Sequence, residues 1–142
     1  MPKHLAKAHE NGELYFHDLD SYNLSINCLH IPTKEILENG FNTGYGTINK
    51  PKRIETAAEL SCILLQSSQN DMSGGQAHPD FDNDMSIFID PTRQEIRSEL
   101  EALGIEEERI ENIVEERLKM RVHQAMQGIV YNLNTMHSRA GQ

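Results

Sequence analysis

The sequence has no tryptophan, and its few aromatic residues leave the core to be built mainly from aliphatic side chains. It has only two cysteines, too few for a disulfide scaffold, and Cys28 and Cys62 lie in segments of different periodicity with nothing to pair them. No run of about 18 apolar residues occurs, so no membrane span and no membrane partner are expected. Met1-Pro2-Lys3-His4 is not followed by an apolar stretch, so no secretory signal is expected and the location is read as cytoplasmic. Positive charge is scarce as well. Lys and Arg number 13 against 22 Asp and Glu, and the net charge of −9 leaves no basic stripe for nucleic acid. Seven histidines are present, but none forms a helical His-x-x-x-His pair, so no metal site is expected within the chain.

Against these absences stands one dense stretch. His17-Asp18-Leu19-Asp20 is followed by a run from Asn23 to Ile31 in which Leu24, Ile26, Cys28 and His30 alternate with Ser25, Asn27, Leu29 and Ile31. That is the period of a strand. A cysteine on a strand beside a knot of histidine and carboxylates is a candidate for thiol chemistry. A lone buried cysteine is also commonly just a small hydrophobe, and the residues by themselves leave both readings open.

Elsewhere the pattern is mostly helical. Pro2 to Glu10 reads as a short helix stopped by Asn11-Gly12. Thr33 can cap a helix closed by Asn39-Gly40, and Phe41 to Pro51 reads as a loop. Gly44-Tyr45-Gly46 lacks the preceding strand and the remaining glycine of a phosphate loop. Ile54 to Gln69 reads as a helix with Ala57, Leu60, Ile63, Leu64 and Ser67 on its buried face, and with Ala57, Ala58 and Ser61 small enough for close helix approach. Met72 to Asp84 reads as a loop and Met85 to Ile89 as a second short strand. A helix start follows, either Asp90 as cap with Pro91 in first place or a capping box of Thr92 and Glu95. That helix ends at Gly104. Many of the acidic residues lie from Glu95 to Glu116 and read as the wet face of helices. The last helix, about Glu106 to Met136, would span roughly 45 Å. Its stripe runs Ile110, Ile113, Val114, Leu118, Val122, Ala125, Met126, Ile129, Val130 and Leu133. The charge of its first half predicts that the second half is buried and the first stands toward solvent or a partner. The chain opens in a helix and stops where a helix has just run out, so it reads as a fragment of a longer polypeptide.

Three stretches carry a resemblance. They are Asn11 to Asp20 continuing to Asn27-Cys28; Asn39-Gly40-Phe41 with Arg53 to Ala58 and Gln69-Asn70-Asp71-Met72-Ser73-Gly74-Gly75-Gln76; and Gln124 to Gly128 continuing to Asn132-Leu133-Asn134-Thr135-Met136-His137-Ser138-Arg139-Ala140-Gly141-Gln142. In this order they resemble the anaerobic (class III) ribonucleoside-triphosphate reductases, from about Leu5 to the last residue. The resemblance implies an α-rich α/β fold: a partial segment of the ten-stranded α/β barrel of glycyl-radical enzymes, ending in a long C-terminal helix. Residues 1–142 would be a single fragment of the catalytic domain. The N-terminal ATP cone and the C-terminal glycyl-radical region would lie outside it, and the fragment alone would be inactive.

The resemblance also implies the chemistry. In such enzymes an activase using S-adenosylmethionine and an iron–sulfur cluster places a radical on a glycine, and the radical passes to a cysteine at the barrel centre. The thiyl radical takes the 3′-hydrogen of a ribonucleoside triphosphate, the 2′-hydroxyl leaves as water, and a cysteine on the opposite face of the sugar supplies reducing hydrogen. Cys28 matches that last cysteine. Cys62 matches nothing and reads as a structural thiol. His17 and Asp18, with Asp20 beside them, either line the substrate pocket or brace the turn into the strand. Ser138 and Arg139 are further substrate-binding candidates, Arg139 as a phosphate contact or simply as a helix C-terminal cation. Gln66 is the candidate contact for a deoxynucleotide (dNTP) effector at a homodimer interface. ATP and dNTP effectors, a structural zinc elsewhere in the protein, the activase, and formate or a thioredoxin-like reductant complete what the family implies. The alternative is an effector-binding and dimerisation segment with no chemistry of its own.

Overall fold

The computed structural model describes residues 1–16, 28–44, 46–69, 72 and 74–136. The expected strand from Asn23 therefore falls mostly outside the described residues. Its described part is β1, Leu29–His30. Before it, α1 spans Lys3–Glu10 and ends where Gly12 turns the chain at φ 74°. After it come α2 (Thr33–Asn39), β2 (Phe41–Asn42), β3 (Thr47–Ile48), α3 (Ile54–Gln69), β4 (Gln76–Ala77), α4 (Phe81–Ser86), α5 (Ile89–Ala102) and α6 (Glu107–Thr135).

β1 and β4 are parallel, with Leu29 opposite Gln76 and His30 opposite Ala77. Parallel neighbours need a long crossover, and α2, the hairpin and α3 supply it. β2 and β3 form that small antiparallel hairpin, in the segment expected to be a loop. Gly40 makes the hairpin's entry possible: its φ is 75°, and a Cβ there would lie 2.5 Å from the carbonyl oxygen of Ile48.

One core gathers Ile31, Leu37, Ile54, Ala57, Leu64, Met85, Phe88 and Ala125, all buried, where α3 packs on α6 and on α2 and α4. Ala57 and Ala58 lie in it, as their size predicts. A second core, of Ile96, Leu100, Ile110, Val114 and Leu118, joins α5 to the first half of α6.

Several expectations are overturned. Met85 to Ile89 is no strand: α4 ends at Ser86 and α5 begins at Ile89. Met85 and Phe88, three apart, are both buried, so this short apolar run follows the helical period. Residues 72–84 are not one loop, since β4 and the start of α4 lie within them. Neither expected cap of α5 forms. Phe88 is the cap residue, Thr92 donates to its carbonyl oxygen at 2.7 Å, and Glu95 pairs with Arg53 and Arg121. Thr33 does not cap α2 but is its first helical residue, after Pro32. Ile63, placed on the buried face of α3, is exposed.

Nor is burial confined to the second half of α6, although Ala125 there lies in the first core. Ile110, Val114 and Leu118 are buried in the charged half, while Val130 and Leu133 are 59% and 52% exposed. The glutamates of the first half stay at the surface by pairing with α5: Arg93 with Glu115 at 2.9 Å, and Arg97 with Glu107 at 2.8 Å and with Glu111. Charge on one side of a helix therefore coexists with a buried seam on the other. Among the described residues, no helix is long and apolar enough to cross a membrane.

Candidate functional site

Cys28 immediately precedes β1 and is exposed. The next peptide N–H, that of Leu29, donates to the carbonyl oxygen of Gly75 at 3.0 Å, and the N–H of Ile31 donates to Ala77 at 2.8 Å. Strand alternation sorts the side chains. Ile31 is buried and Leu29 packs against the same helical core, whereas Cys28 and His30 are exposed. The thiol thus lies on the side of the strand pair away from the helices.

Both parallel strands run toward a groove of about 460 Å³ lined by His30, Pro32, Lys34, Glu35, Asp80 and Asp84, among others. The carboxyl ends of parallel strands are where α/β folds commonly place ligands. Lys34 contributes its backbone N–H to Asp84 Oδ2 at 3.1 Å. Behind the groove, Thr33 and the Nδ1 of His78 are hydrogen-bonded, and the ring of Phe81 meets that of His78 edge-on at 5.8 Å. The Nε2 of His78 is buried and has no hydrogen-bond partner among the described residues. Burial pushes the His78 pKa below the usual histidine value, with Asp84 pulling part of the way back. His78 and Thr33 therefore clasp the two strand ends with a neutral ring.

A second groove, of about 550 Å³, lies between α2, the hairpin and the end of α3, with Ile36, Phe41, Asn42, Leu64 and Ser67 in its wall. Gln66 is half-buried in the same turn of α3 but does not line this groove. Cys62 is buried, and burial pushes its thiol pKa up despite a hydrogen bond with Asn132. It is a protonated packing thiol, consistent with the structural role read for it.

Of the predicted site residues, the structure places Cys28 and Gln66. His17, Asp18, Asp20, Asn27, Ser138 and Arg139 lie outside the described residues. Two residues carry contacts that the sequence did not signal: His78 at the strand ends, and Gln76, whose side chain joins β4 to α3. A Gly-Gly-Gln sequence marks a turn and a polar residue, but it does not reveal which helix end the amide will meet. No group of three or more His, Cys, Asp or Glu side chains suited to a metal ion occurs among the described residues.

The described residues thus hold a parallel strand pair joined by a helical crossover, with the free thiol of Cys28 exposed beside it. The whole chain, residues 1–142, matches the family described as anaerobic ribonucleoside-triphosphate reductase, and it belongs to that family. It is 28% identical over 144 residues to the anaerobic ribonucleoside-triphosphate reductase of Escherichia coli (strain K12), a match covering 100% of this chain and 20% of that protein. The protein of the same name from Salmonella typhimurium is 27% identical over the same share of both chains. That of enterobacteria phage T4 is 28% identical over 145 residues, covering 100% of this chain and 24% of the phage protein. The chain thus spans between a fifth and a quarter of the length of these relatives.

Proposed function

We propose that this chain is the early strand-and-helix part of the catalytic barrel of an oxygen-sensitive glycyl-radical reductase that converts ribonucleoside triphosphates to deoxyribonucleoside triphosphates. In this reading Cys28 is the thiol that delivers reducing hydrogen to the ribose. The observation that carries it is the placement of Cys28 on the open side of β1, with Leu29 and Ile31 holding the other side against the helical core. A hydrogen donor has to face the sugar while its strand is fixed from behind, and this arrangement meets both demands. Family membership supports the substrate class. The radical glycine and the structural zinc would belong to other parts of the longer protein and the activase is a separate protein, so this chain's share is to orient the reducing thiol.

Effector control is part of the same proposal, with Gln66 as the contact for a deoxynucleotide. Dimerisation through α6 is a second role of this chain, favoured by the exposed Val130, Tyr131 and Leu133 on its C-terminal half.

The test is Cys28→Ser in the full-length enzyme. Deoxynucleotide formation should be abolished while the glycyl radical still forms on activation, because the radical is generated by a separate protein. Electron paramagnetic resonance and a turnover assay on the same preparation read both halves. Normal turnover by the serine variant would remove Cys28 from the chemistry.

A further inference from the structure

The side chain of Gln76 joins the C-terminal end of α3 to the strand pair by hydrogen bonds. Gln76 stands in β4 opposite Leu29. Its amide nitrogen donates to the carbonyl oxygen of Leu65 at 3.0 Å and to Oγ of Ser68 at 2.7 Å. Ser68 donates its own proton to the carbonyl oxygen of Leu64 at 2.8 Å, which leaves its oxygen free to accept from Gln76. The acceptors therefore fix the amide's orientation, since only its NH2 side can face Leu65. Leu65 and Ser68 lie near the C-terminal end of α3, so the contact ties β4 to that end of the helix.

The strands need such an anchor. Each has two residues, too short to hold its own register in water. Gly74 and Gly75 precede β4 and give its entry little stiffness. The carbonyls of Gly75 and Ala77, on either side of Gln76, receive the N–H groups of Leu29 and Ile31. Whatever fixes Gln76 along the end of α3 therefore fixes the height of β1 and of the cysteine at its start.

We propose that Gln76 is a positioning residue for Cys28. It transfers the rigidity of the buried helix α3, through β4, to the strand that presents the thiol. The proposal rests on the reading of Cys28 as the reducing thiol. A hydrogen donor displaced by a fraction of an ångström from its target loses rate steeply. A residue that merely capped α3 would affect the stability of that helix and leave the reactivity of Cys28 alone.

The experiment uses the full-length reductase with Gln76→Glu and Gln76→Lys. The carboxylate of the first has no proton to give Leu65 and faces its carbonyl oxygen. The ammonium of the second can still donate, and a cation suits the negative end of α3. Gln76→Glu should lower kcat about tenfold or more with KM within about twofold, and Gln76→Lys should recover most of the loss. In parallel, alkylation of each cysteine by a small haloacetamide is followed by mass spectrometry. The rate at Cys28 should change at least about fivefold in Gln76→Glu and return toward normal in Gln76→Lys, with Cys62 protected throughout. Ser68→Ala, which removes one of the two acceptors, should move Cys28 in the same direction by less. Unchanged Cys28 alkylation in Gln76→Glu would overturn the proposal, and so would equal loss in the Glu and Lys variants or exposure of Cys62 together with Cys28. Normal turnover by Cys28→Ser would instead defeat the reading of the thiol, and the alkylation rates would still decide the anchor.

Discussion

The N–H of Leu29 donates to the carbonyl oxygen of Gly75 at 3.0 Å. It belongs to the peptide unit that leaves Cys28, so this bond fixes the plane on which the cysteine is mounted. The partner, Gly75, lies far along the chain, beyond α2, the hairpin and α3. The thiol's placement is thus a property of the crossover as a whole, and the stability of α3 and its neighbours bears directly on the site.

Thr92 is where α5 supports α3. Its hydroxyl is fully buried, donates to the carbonyl oxygen of Phe88 at 2.7 Å and accepts from the N–H of Ile54, the first residue of α3, at 3.0 Å. A neighbouring helix thus supplies the acceptor that a helix start ordinarily takes from its own cap. Thr92→Val keeps the shape and strands the Ile54 N–H, at an expected cost of about 1–3 kcal/mol in unfolding free energy. Thr92→Ser keeps the hydroxyl and should cost less. Denaturant titration of the three proteins ranks them, and a valine variant as stable as the parent would show that Ile54 finds another acceptor.

Arg121 binds Glu55 and Glu95 together, with Nη2 at 3.0 Å from Glu55 Oε2 and 3.1 Å from Glu95 Oε2, and so ties α6 to α3 and α5. Burial alone pushes the Glu55 carboxyl up. The hydrogen bond from Arg121, a backbone hydrogen bond at Glu55 and the charges of Arg121 and Arg53 outweigh it and hold the pKa below the ordinary 4.5. A carboxylate with a lowered folded pKa adds stability that is complete above 4.5 and is lost as pH falls through the folded value. Arg121→Met keeps the apolar stem and removes the charge. The stability gap between parent and variant should be widest near neutrality and close on acidification, as read from denaturation midpoints across the acid range. A gap independent of pH would assign the effect of Arg121 to packing instead.

The two longest helices, α3 and α6, were legible because their apolar positions repeat over many residues, whereas the six-residue α4 was not. α3 appears at the bounds read from its pattern, and α6 lies within a residue of its expected ends at both termini. Elements settled by partners far away in the chain were not legible. Gln76 and Ala77 have no strand pattern of their own and become β4 only because Leu29 and His30 lie beside them. Charge on α6 was read as marking the unburied half, yet Arg93 and Arg97 of α5 hold those glutamates at the edge of a buried seam. The site divides in the same way. Strand alternation and the resemblance single out Cys28, whose role the Cys28→Ser test decides, while the contacts of Gln76 and His78 depend on helix ends and strand ends that no local pattern reveals.

His78 gives the strand clasp a pH dependence. Burial lowers its pKa from the ordinary 6.5, so the folded protein resists protonating it more than the unfolded chain does. Its contribution to stability is present above 6.5 and is lost as pH falls through the lower folded value. His78→Asn removes the titration while keeping a polar group near Thr33. Between about pH 7.5 and about pH 5.5 the parent should lose more stability than this variant, the other histidines contributing equally to both. Parallel pH profiles would show that His78 titrates as freely as in the unfolded chain.

Gln66 tests whether the end of α3 reads an effector. It is half-buried in the turn whose backbone, at Leu65, holds Gln76. An effector seated there would act on the element that fixes the height of β1, and through it on Cys28. A ligand shifts an equilibrium only by the difference in its affinity for the two states. Gln66→Ala in the full-length enzyme should therefore weaken effector binding and change which substrate a given effector favours, leaving the chemical step largely intact. One amide hydrogen bond is worth on the order of 1 kcal/mol, so the loss of affinity should be a few-fold to about tenfold. Equilibrium binding of each deoxynucleotide, set beside turnover of all four substrates, separates the two effects. If effector affinity and substrate preference are both unchanged, the effector binds elsewhere, and the contacts of Gln66 serve only the packing of α3.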